Sequence, residues 1–516
     1  MRNKAELDDY EPVTSSRRQR NFGKSAPEDD SLPLRALDAA TQIRSQVAPG
    51  VMTTAESDMH VPTPSRQRQA LDHVARNQPI ATNTSLKRGH SASYLGLFVF
   101  TFLVYFRPYE LFPALAWMSK GALVVAVFTL AIFIPSQLGL ENRISATPRA
   151  LKLALALLVT GLLSIPLALE PSRAFLSLVE FFKVIVMFVV LVNVVRNEKR
   201  LRSLMVLVLV ASCVLSIAAF SDYANGNLVL KGRRIAGLIG GLFSNPNDLA
   251  LHLVTMMPIA LALFLSSRGR PIQRALYLVC SLVLLAGLVA TFSRGGFLAL
   301  VCVVAFLGWK LARRNRALVG VFALGLILAA LALAPGAYRS RLATTGDDSA
   351  VARTDDLKRS IVVAARHPFF GVGMDNYILF SNMNKATHNA YTQVASEMGF
   401  AALLIYVSFL FAPLAGLGRL ERATGTTKRK PAAYYLAIGL QAGLVGYMVA
   451  SFFASVAYLW YVYYLVGYAI CLQRIHSSVP VDSVANANLN SRSDLSLPAL
   501  RYAPVGFGED LPREAN

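Results

Sequence analysis

Four arginines and one histidine stand out because each lies in a segment that the distribution of Lys and Arg along the chain assigns to the outside of a membrane. They are Arg233, Arg234, Arg294, Arg353 and His388. An arginine side chain keeps its positive charge and can bind two phosphate oxygens at once. In membrane proteins, Lys and Arg concentrate in the cytoplasmic connections. Positive charge placed elsewhere needs a reason, and we predict that the reason is an anionic ligand.

Three of the segments that carry these residues end where a helix is predicted to begin. Asn245 can cap a helix that starts at Pro246, the turn 293–296 precedes a second helix, and His388-Asn389 opens a third. A helix N-terminus presents unpaired N–H groups and the positive end of the helix dipole, so it binds phosphate well. Each feature alone is usually an ordinary helix start or an interfacial residue. Together they predict one shared site for a lipid-linked phosphate.

Composition places these segments in a membrane protein. Hydrophobic residues make up 54% of the 516 residues and charged residues 16%, with a mean hydropathy of +0.46, which excludes an ordinary soluble protein. Cytoplasmic loops that face anionic lipid explain the net charge of +21 better than nucleic-acid binding does. We predict an all-α, polytopic integral membrane protein with about 12 transmembrane helices. The predicted spans are 93–106, 120–135, 150–168, 174–195, 203–220, 247–265, 275–291, 296–310, 317–334, 390–417, 432–452 and 456–473.

The short connections between these spans alternate between strongly basic and nearly uncharged. Clusters of Lys and Arg follow the second, fourth, sixth, eighth and tenth spans, so we predict that both termini lie in the cytoplasm. The outside then holds two larger segments, 221–246 and 335–389, the second of which is a large loop before the tenth helix. Polar composition predicts a disordered cytoplasmic tail over 1–92 and another over 477–516. The transmembrane domain between them covers 93–476.

Several short motifs follow one another between residues 230 and 400. They are Arg234-Ile235-Ala236-Gly237, Phe243-Ser244-Asn245-Pro246-Asn247, Ser293-Arg294-Gly295-Gly296, Ala352-Arg353, His367-Pro368-Phe369-Phe370-Gly371-Val372-Gly373, His388-Asn389-Ala390-Tyr391 and Glu397-Met398-Gly399-Phe400. Each motif is degenerate, but in this order and spacing they resemble the O-antigen ligase and O-antigen polymerase superfamily. Members of that family are polytopic inner-membrane glycosyltransferases that act on glycans linked to undecaprenyl diphosphate.

The resemblance implies a reaction and a location. A glycan would move from undecaprenyl diphosphate to the hydroxyl of an acceptor, either a growing glycan, lipid A core or another hydroxyl-bearing molecule. The protein would lie in the bacterial inner membrane, with its active site facing the periplasm beneath the loop 335–389. Membrane lipid would surround it, and a chain-length regulator and a flippase are candidate partner proteins. Neither a cofactor nor a metal ion is expected.

The resemblance also assigns roles to individual residues. His388 is the candidate general base, which suits a histidine because its unperturbed pKa lies near ambient pH. Arg234, Arg294 and Arg353 are candidates for binding the diphosphate, and the adjacent Arg233 is an alternative to Arg234. Supporting roles are assigned to Asn245, Asn247 and Asn389, and to Asp375 and Glu397, which would orient His388 or bind sugar.

Other interpretations of the sequence stay open. Asp347-Asp348 and Asp355-Asp356 in the outer loop could hold a divalent cation, although a solvated loop also explains them. A transporter or flippase of lipid-linked oligosaccharides would be equally basic and apolar. Transporters usually have ionisable residues at bilayer depth. The clearest such residues here are Glu180 and Lys183, and a structural ion pair between them explains their presence adequately. We favour the enzyme, and the four cysteines show no spacing typical of a zinc site or a disulfide framework.

Overall fold

The computed structural model describes residues 89–142, 145–226, 243, 245–311, 348–381, 386–427 and 429–477, and within these ranges the chain forms helices and no strand. The main helices are α1 (Ser91–Phe106), α2 (Gly121–Glu141), α3 (Arg149–Ser164), α4 (Pro171–Val194), α5 (Glu198–Ala224), α6 (Pro246–Ser266), α7 (Pro271–Ala290), α8 (Arg294–Leu311), α9 (Asp348–Arg366), α10 (Ala390–Thr424), α11 (Ala432–Ala450) and α12 (Trp460–Ser477). Short helical turns at Pro108–Leu111, Pro113–Lys120, Ile165–Leu167, Tyr377–Phe380 and Ser451–Phe453 lie between them.

Nine of the described helical segments are long and apolar enough to cross a membrane. The prediction of an all-α, multi-pass membrane protein is therefore confirmed, and these segments correspond to nine of the twelve predicted spans. Helix α1 has only 16 residues, and α12 is rich in tyrosine and ends in polar residues. Neither helix is therefore both long enough and apolar enough to count among the nine. The predicted span 317–334 lies outside the described residues. The domain boundaries at 92 and 476 stay predictions.

Helix α6 is almost completely enclosed by its neighbours. Every residue from Leu249 to Leu265 is buried, and α7 and α11 pack along this helix. Lipid tails are as apolar as leucine side chains, so the hydrophobic effect does not drive helices together inside a bilayer. Their association depends instead on close van der Waals packing, which small residues make possible.

Two glycines of α11 allow this close packing. A β-carbon at Gly439 would lie 2.5 Å from the Ala262 Cβ and 2.8 Å from the Pro258 carbonyl oxygen. A β-carbon at Gly443 would lie 2.9 Å from the Thr255 carbonyl oxygen. These distances are shorter than van der Waals contact, and none of the three atoms can rotate away. The contact between α6 and α11 therefore favours glycine at both positions.

Replacing Gly439 with alanine should destabilise the protein by about 1–3 kcal/mol, because the two helices must move apart to accept the methyl group. Thermal unfolding of the purified protein in detergent would show this as a lower Tm. Gly139→Ala in α2 is the matched control, since a β-carbon at Gly139 would meet nothing within 4 Å. Equal melting temperatures for the two variants would contradict a stabilising role for the close contact.

Candidate active site

The predicted Asn245 cap is present at the N-terminus of α6, and Asn389 caps α10 in the same way. The Asn245 side chain accepts a hydrogen bond from the Asn247 backbone N–H at 3.0 Å, and Pro246 occupies the first helical position. The Asn389 side chain accepts hydrogen bonds from the backbone N–H groups of Tyr391 at 2.8 Å and Thr392 at 3.1 Å. Both side chains thus satisfy N–H groups that a helix start leaves unpaired.

A buried serine joins the start of α6 to the start of α8. The Ser293 hydroxyl donates to the Asn247 side-chain oxygen at 3.0 Å, and it accepts from the Gly296 backbone N–H at 3.2 Å. Ser293 and Asn247 are both buried. Arg294, at the first position of α8, is half-buried. The Asn-Pro-Asn motif and the Ser-Arg-Gly-Gly turn, 46 residues apart in sequence, are therefore direct neighbours.

Residues 451–459, here called the connecting segment, join these two helix starts to the start of α10. A β-carbon at Gly295 would lie 2.6 Å from the Phe453 ring, so the 293–296 turn packs directly on the segment. The Phe452 ring lies 4.4 Å from that of Tyr391. Near the other end of the segment, the Ser455 and Thr387 hydroxyls are 3.0 Å apart. The N-termini of α6, α8 and α10 consequently lie together, and this end of the bundle is called the site end.

His388 has a backbone conformation that its neighbours hold in place. Its φ is +54°, in the left-handed region that residues other than glycine seldom adopt. On one side, Thr387 donates to the Asn389 carbonyl oxygen at 2.9 Å and contacts the connecting segment; on the other, Asn389 caps α10. The side chain of His388 is half-buried. The backbone therefore fixes the point from which the imidazole projects.

Helix α10 breaks near its start, and the segment 368–373 pairs with the break. Gly399 has φ +87° and ψ 174°, which are not helical. Backbone N–H groups of Val372 and Gly373 donate to the carbonyl oxygens of Ser396 and Glu397, both at 2.9 Å, and Phe400 N–H donates to that of Pro368 at 2.8 Å. The His-Pro-Phe-Phe-Gly-Val-Gly and Glu-Met-Gly-Phe motifs therefore form one hydrogen-bonded unit.

Close contacts between the backbones of these two motifs explain why both contain glycine. A β-carbon at Gly371 would lie 2.2 Å from the Glu397 carbonyl carbon, and one at Gly399 would lie 2.3 Å from the Phe369 carbonyl oxygen. Both glycines also have positive φ. Gly371-Val372-Gly373 is thus a packing element at the break in α10.

Glu397 and Asp375 lie beside this unit. Glu397 is 4% exposed, and its carboxylate adjoins the Tyr458 hydroxyl and the backbone of Asp375. One of its carboxylate oxygens makes no hydrogen bond within the described part of the chain. Asp375 forms an ion pair with Arg173 of α4 at 3.4 Å. Desolvation raises the pKa of Asp375, and the Arg173 guanidinium opposes that shift.

Residues 279–407 match the family model described as O-antigen ligase. The resemblance to O-antigen ligases is confirmed. A comparison with curated proteins finds no match for the chain. The matched part, called the ligase region below, begins inside α7 and ends in α10. It contains the 293–296 turn, α9, both motifs at the α10 break and the start of α10, whereas the Asn-Pro-Asn motif of α6 precedes it.

The ligase region holds Arg353 on α9, a helix within the predicted outer loop 335–389. Helix α9 packs against α10, and Arg353 is half-buried. Further along α9, the buried Arg359 donates to the Phe380 carbonyl oxygen at 3.2 Å. The Tyr377 hydroxyl donates to the Asp356 carbonyl oxygen at 3.0 Å. These bonds fix α9 to the helical turn Tyr377–Phe380, which follows the segment that pairs with the α10 break.

The structure thus brings most of the predicted site residues to the site end or next to the α10 break. Those at the site end are Asn245, Asn247, Arg294, His388 and Asn389, and those beside the break are Asp375 and Glu397. Arg353 is placed on α9. Arg233 and Arg234 lie outside the described residues, so their role stays a prediction.

Sequence reasoning missed Arg107 as a candidate. It follows α1 directly, pairs with Glu110 at 2.6 Å and, like Asp248 of α6, lies within electrostatic range of the Tyr461 hydroxyl. Tyr461 packs on the Phe243 ring at 5.7 Å, next to the start of α6. The signal was available, because Arg107 follows the first predicted span and so lies on the same predicted side as Arg294. The connecting segment, with Tyr458, was missed as well.

Two features of the sequence suggested other functions: the charged pair in α4 and the acidic residues of the outer loop. Glu180 and Lys183 form the expected ion pair at 2.5 Å, and the Glu180 side chain is largely exposed. No group of three or more His, Cys, Asp or Glu side chains suited to a metal ion occurs among the described residues. Asp347 lies outside those residues, and Asp355 is exposed on α9.

Replacing Gly399 with alanine should lower the stability of the ligase region by about 2 kcal/mol or more, because the new methyl group meets the Phe369 carbonyl in a backbone conformation unfavourable to alanine. The Tm of the purified protein measures this change. Gly418→Ala, in the regular part of the same helix, is the matched control, since a β-carbon there would meet nothing within 4 Å. A Gly399→Ala protein as stable as that control would argue against the backbone pairing described above.

Proposed function

We propose that this protein is a membrane glycosyltransferase that moves a glycan from undecaprenyl diphosphate to an acceptor hydroxyl. The observation that carries the proposal is the match of residues 279–407 to O-antigen ligase, in which Arg294 and His388 sit on helix starts at one end of the bundle. An arginine, a histidine and several helix N-termini at one place suit a phosphate-bearing donor. Other donors linked to a lipid by diphosphate would meet the same requirements.

In this proposal the site end faces the periplasm and the protein lies in the bacterial inner membrane. The opposite end of the bundle carries the basic connections. There Arg196 pairs with Glu141 at 2.7 Å, Arg200 donates to the Gly89 carbonyl oxygen, and Lys310 pairs with Glu421 at 2.8 Å. Positively charged connections favour the cytoplasmic side, so this basic end would hold both termini in the cytoplasm.

The arginines would bind the donor diphosphate. Arg294 begins α8, so its guanidinium and the N-terminus of that helix can act on the same anion. Arg353, Arg234 and the adjacent Arg233 are the further candidates. Negative charge develops on the diphosphate as its bond to the glycan breaks, and fixed guanidinium groups stabilise that charge without reorganising. We propose that they do so in place of a metal ion.

His388 would act as the general base. The acceptor oxygen forms a bond to the anomeric carbon of the glycan, the bond from that carbon to the diphosphate oxygen breaks, and the acceptor proton passes to the imidazole. Undecaprenyl diphosphate leaves with the electron pair of the broken bond. The anchored backbone of residues 387–389 would hold the imidazole at a constant position, which favours proton transfer. Glu397 and Asp375 would support this part of the site or bind sugar.

The expected result for His388→Ala is loss of transfer by at least about a hundredfold, the range that a general base supplies. The assay measures release of undecaprenyl diphosphate from a lipid-linked glycan by protein reconstituted in liposomes, with a chelator present and several candidate acceptors in parallel. His73→Ala, in the predicted N-terminal tail, is the matched control and should keep full activity. The acceptor that becomes extended would separate a ligase from a polymerase.

Three outcomes of this assay would contradict the proposal in different ways. Undiminished transfer by His388→Ala would remove the histidine from the mechanism. If the wild type released no undecaprenyl diphosphate with any acceptor, but moved intact donor between leaflets, the protein would be a transporter of lipid-linked oligosaccharides. Release that needs added magnesium or manganese would favour the acidic residues of the 335–389 loop as a metal site.

Arg294→Lys should reduce transfer at least tenfold even though it keeps the charge, because a lysine cannot bind two phosphate oxygens at once. The same liposome assay, run over a range of donor concentrations, would show the loss. Arg270→Lys, in the exposed connection between α6 and α7, is the matched control. Full activity of Arg294→Lys would indicate that Arg294 is an interfacial residue without a donor contact.

A further inference from the structure

A second site candidate lies at the basic end, away from the proposed active site. A cavity of about 550 Å³ opens there between the start of α3 and the ends of α10 and α12. Three arginines, one from each helix, line it: Arg149, Arg419 and Arg474. Its other lining residues include small side chains such as Ala415 and Gly416, which leave the space open.

The cavity has a strongly positive character. No Asp or Glu lines it among the described residues. Two acidic residues of the basic end are engaged elsewhere, since Glu421 pairs with Lys310 at 2.8 Å and Glu141 pairs with Arg196 at 2.7 Å. Arg474 also donates to the Val192 carbonyl oxygen, which fixes that side chain at the cavity wall. A concentration of like charge in a recess between helices attracts an anion.

The backbone adds to this charge. Helix α3 has 16 residues and starts at Arg149, with Pro148 as the residue before it, and no side chain caps it. Pro148, Arg149 and Ala150 all line the cavity. The positive end of the α3 dipole and its first N–H groups therefore lie at the wall of the same space.

Apolar surface continues from the cavity along the bundle. On α10, Leu404, Phe411, Ala415 and Arg419 share one face, because they are spaced by seven, four and four residues. Leu404 is 69% exposed and Phe411 55% exposed. Helix α3 packs beside α10 and also exposes leucine and valine side chains along its length. A ligand bound here would meet positive charge at one end and exposed hydrocarbon along the rest.

We propose that this cavity binds the phosphate headgroup of an anionic phospholipid, with its acyl chains lying along the exposed apolar faces of α3 and α10. Recessed basic sites between transmembrane helices at the cytoplasmic side suit such headgroups. A free phosphate ion would use the arginines but not the apolar faces. The bound lipid would link three helices, α3, α10 and α12, at the end of the bundle that the proposed reaction does not use.

The test measures binding of phosphatidylglycerol to the full-length protein in detergent by native mass spectrometry. Arg149→Glu/Arg419→Glu should weaken binding at least tenfold, equivalent to about 1.4 kcal/mol. The matched control is Arg270→Glu/Arg429→Glu, which makes the same charge change at exposed positions of the basic end outside the cavity. This control should bind within twofold of the wild type.

Measurements on the wild type keep the proposal testable if the charge-reversed protein fails to fold. Phosphatidylcholine should bind at least tenfold more weakly than phosphatidylglycerol, and inorganic phosphate at the same concentration should not displace the lipid. Equal binding of the two lipids, displacement by inorganic phosphate, or an equal loss in the control variant would each overturn the proposal. Glycan transfer is not a readout, so this result is independent of the proposed reaction.

Discussion

Where a helix of a membrane protein breaks, the backbone groups that it frees must find partners within the protein, and the rest of this site depends on how α10 meets that constraint. The break at Gly399 is paired through three backbone hydrogen bonds with residues 368–373. This pairing brings the end of α9 against α10 and carries Asp375 to Arg173 and Glu397. Segment 368–373 is therefore held by close backbone contacts, and these contacts leave no room for a side chain at Gly371 or Gly399.

Charge is distributed unequally between the two ends of the bundle. At the site end, polar residues at the starts of α6, α8 and α10 meet around the connecting segment, and few of the arginines that the structure describes lie there. At the basic end, arginines contact carbonyl groups, glutamates and aromatic rings; Arg268, for example, lies 5.6 Å from the centre of the Tyr435 ring. We propose that a lipid-linked diphosphate binds at the site end and the headgroup of an anionic phospholipid at the basic end.

Sequence alone predicted the helices of this fold and one helix cap but not its long-range contacts. The structure supports nine of the twelve spans that the apolar runs predicted, and Asn245 could be recognised as a cap because capping is a local interaction. The bond between Ser293 and Asn247, and the contact of Glu397 with Tyr458, join residues far apart in the chain. No local pattern encodes such pairs. The packing that explains the glycines of the His-Pro-Phe-Phe-Gly-Val-Gly motif is likewise a contact with a distant part of the chain.

The enclosure of α6 has a consequence for the order in which the protein is made. This helix carries Asp248 and His252 near its N-terminus, and in the finished protein Tyr461 of α12 lies beside both. During synthesis from the N-terminus, α12 emerges about 190 residues after the end of α6. Until then, α6 would present these polar groups without that cover. The start of α6 therefore takes its final surroundings only late in biogenesis, so a chain truncated before α12 would leave the site end incomplete however well its earlier helices had inserted.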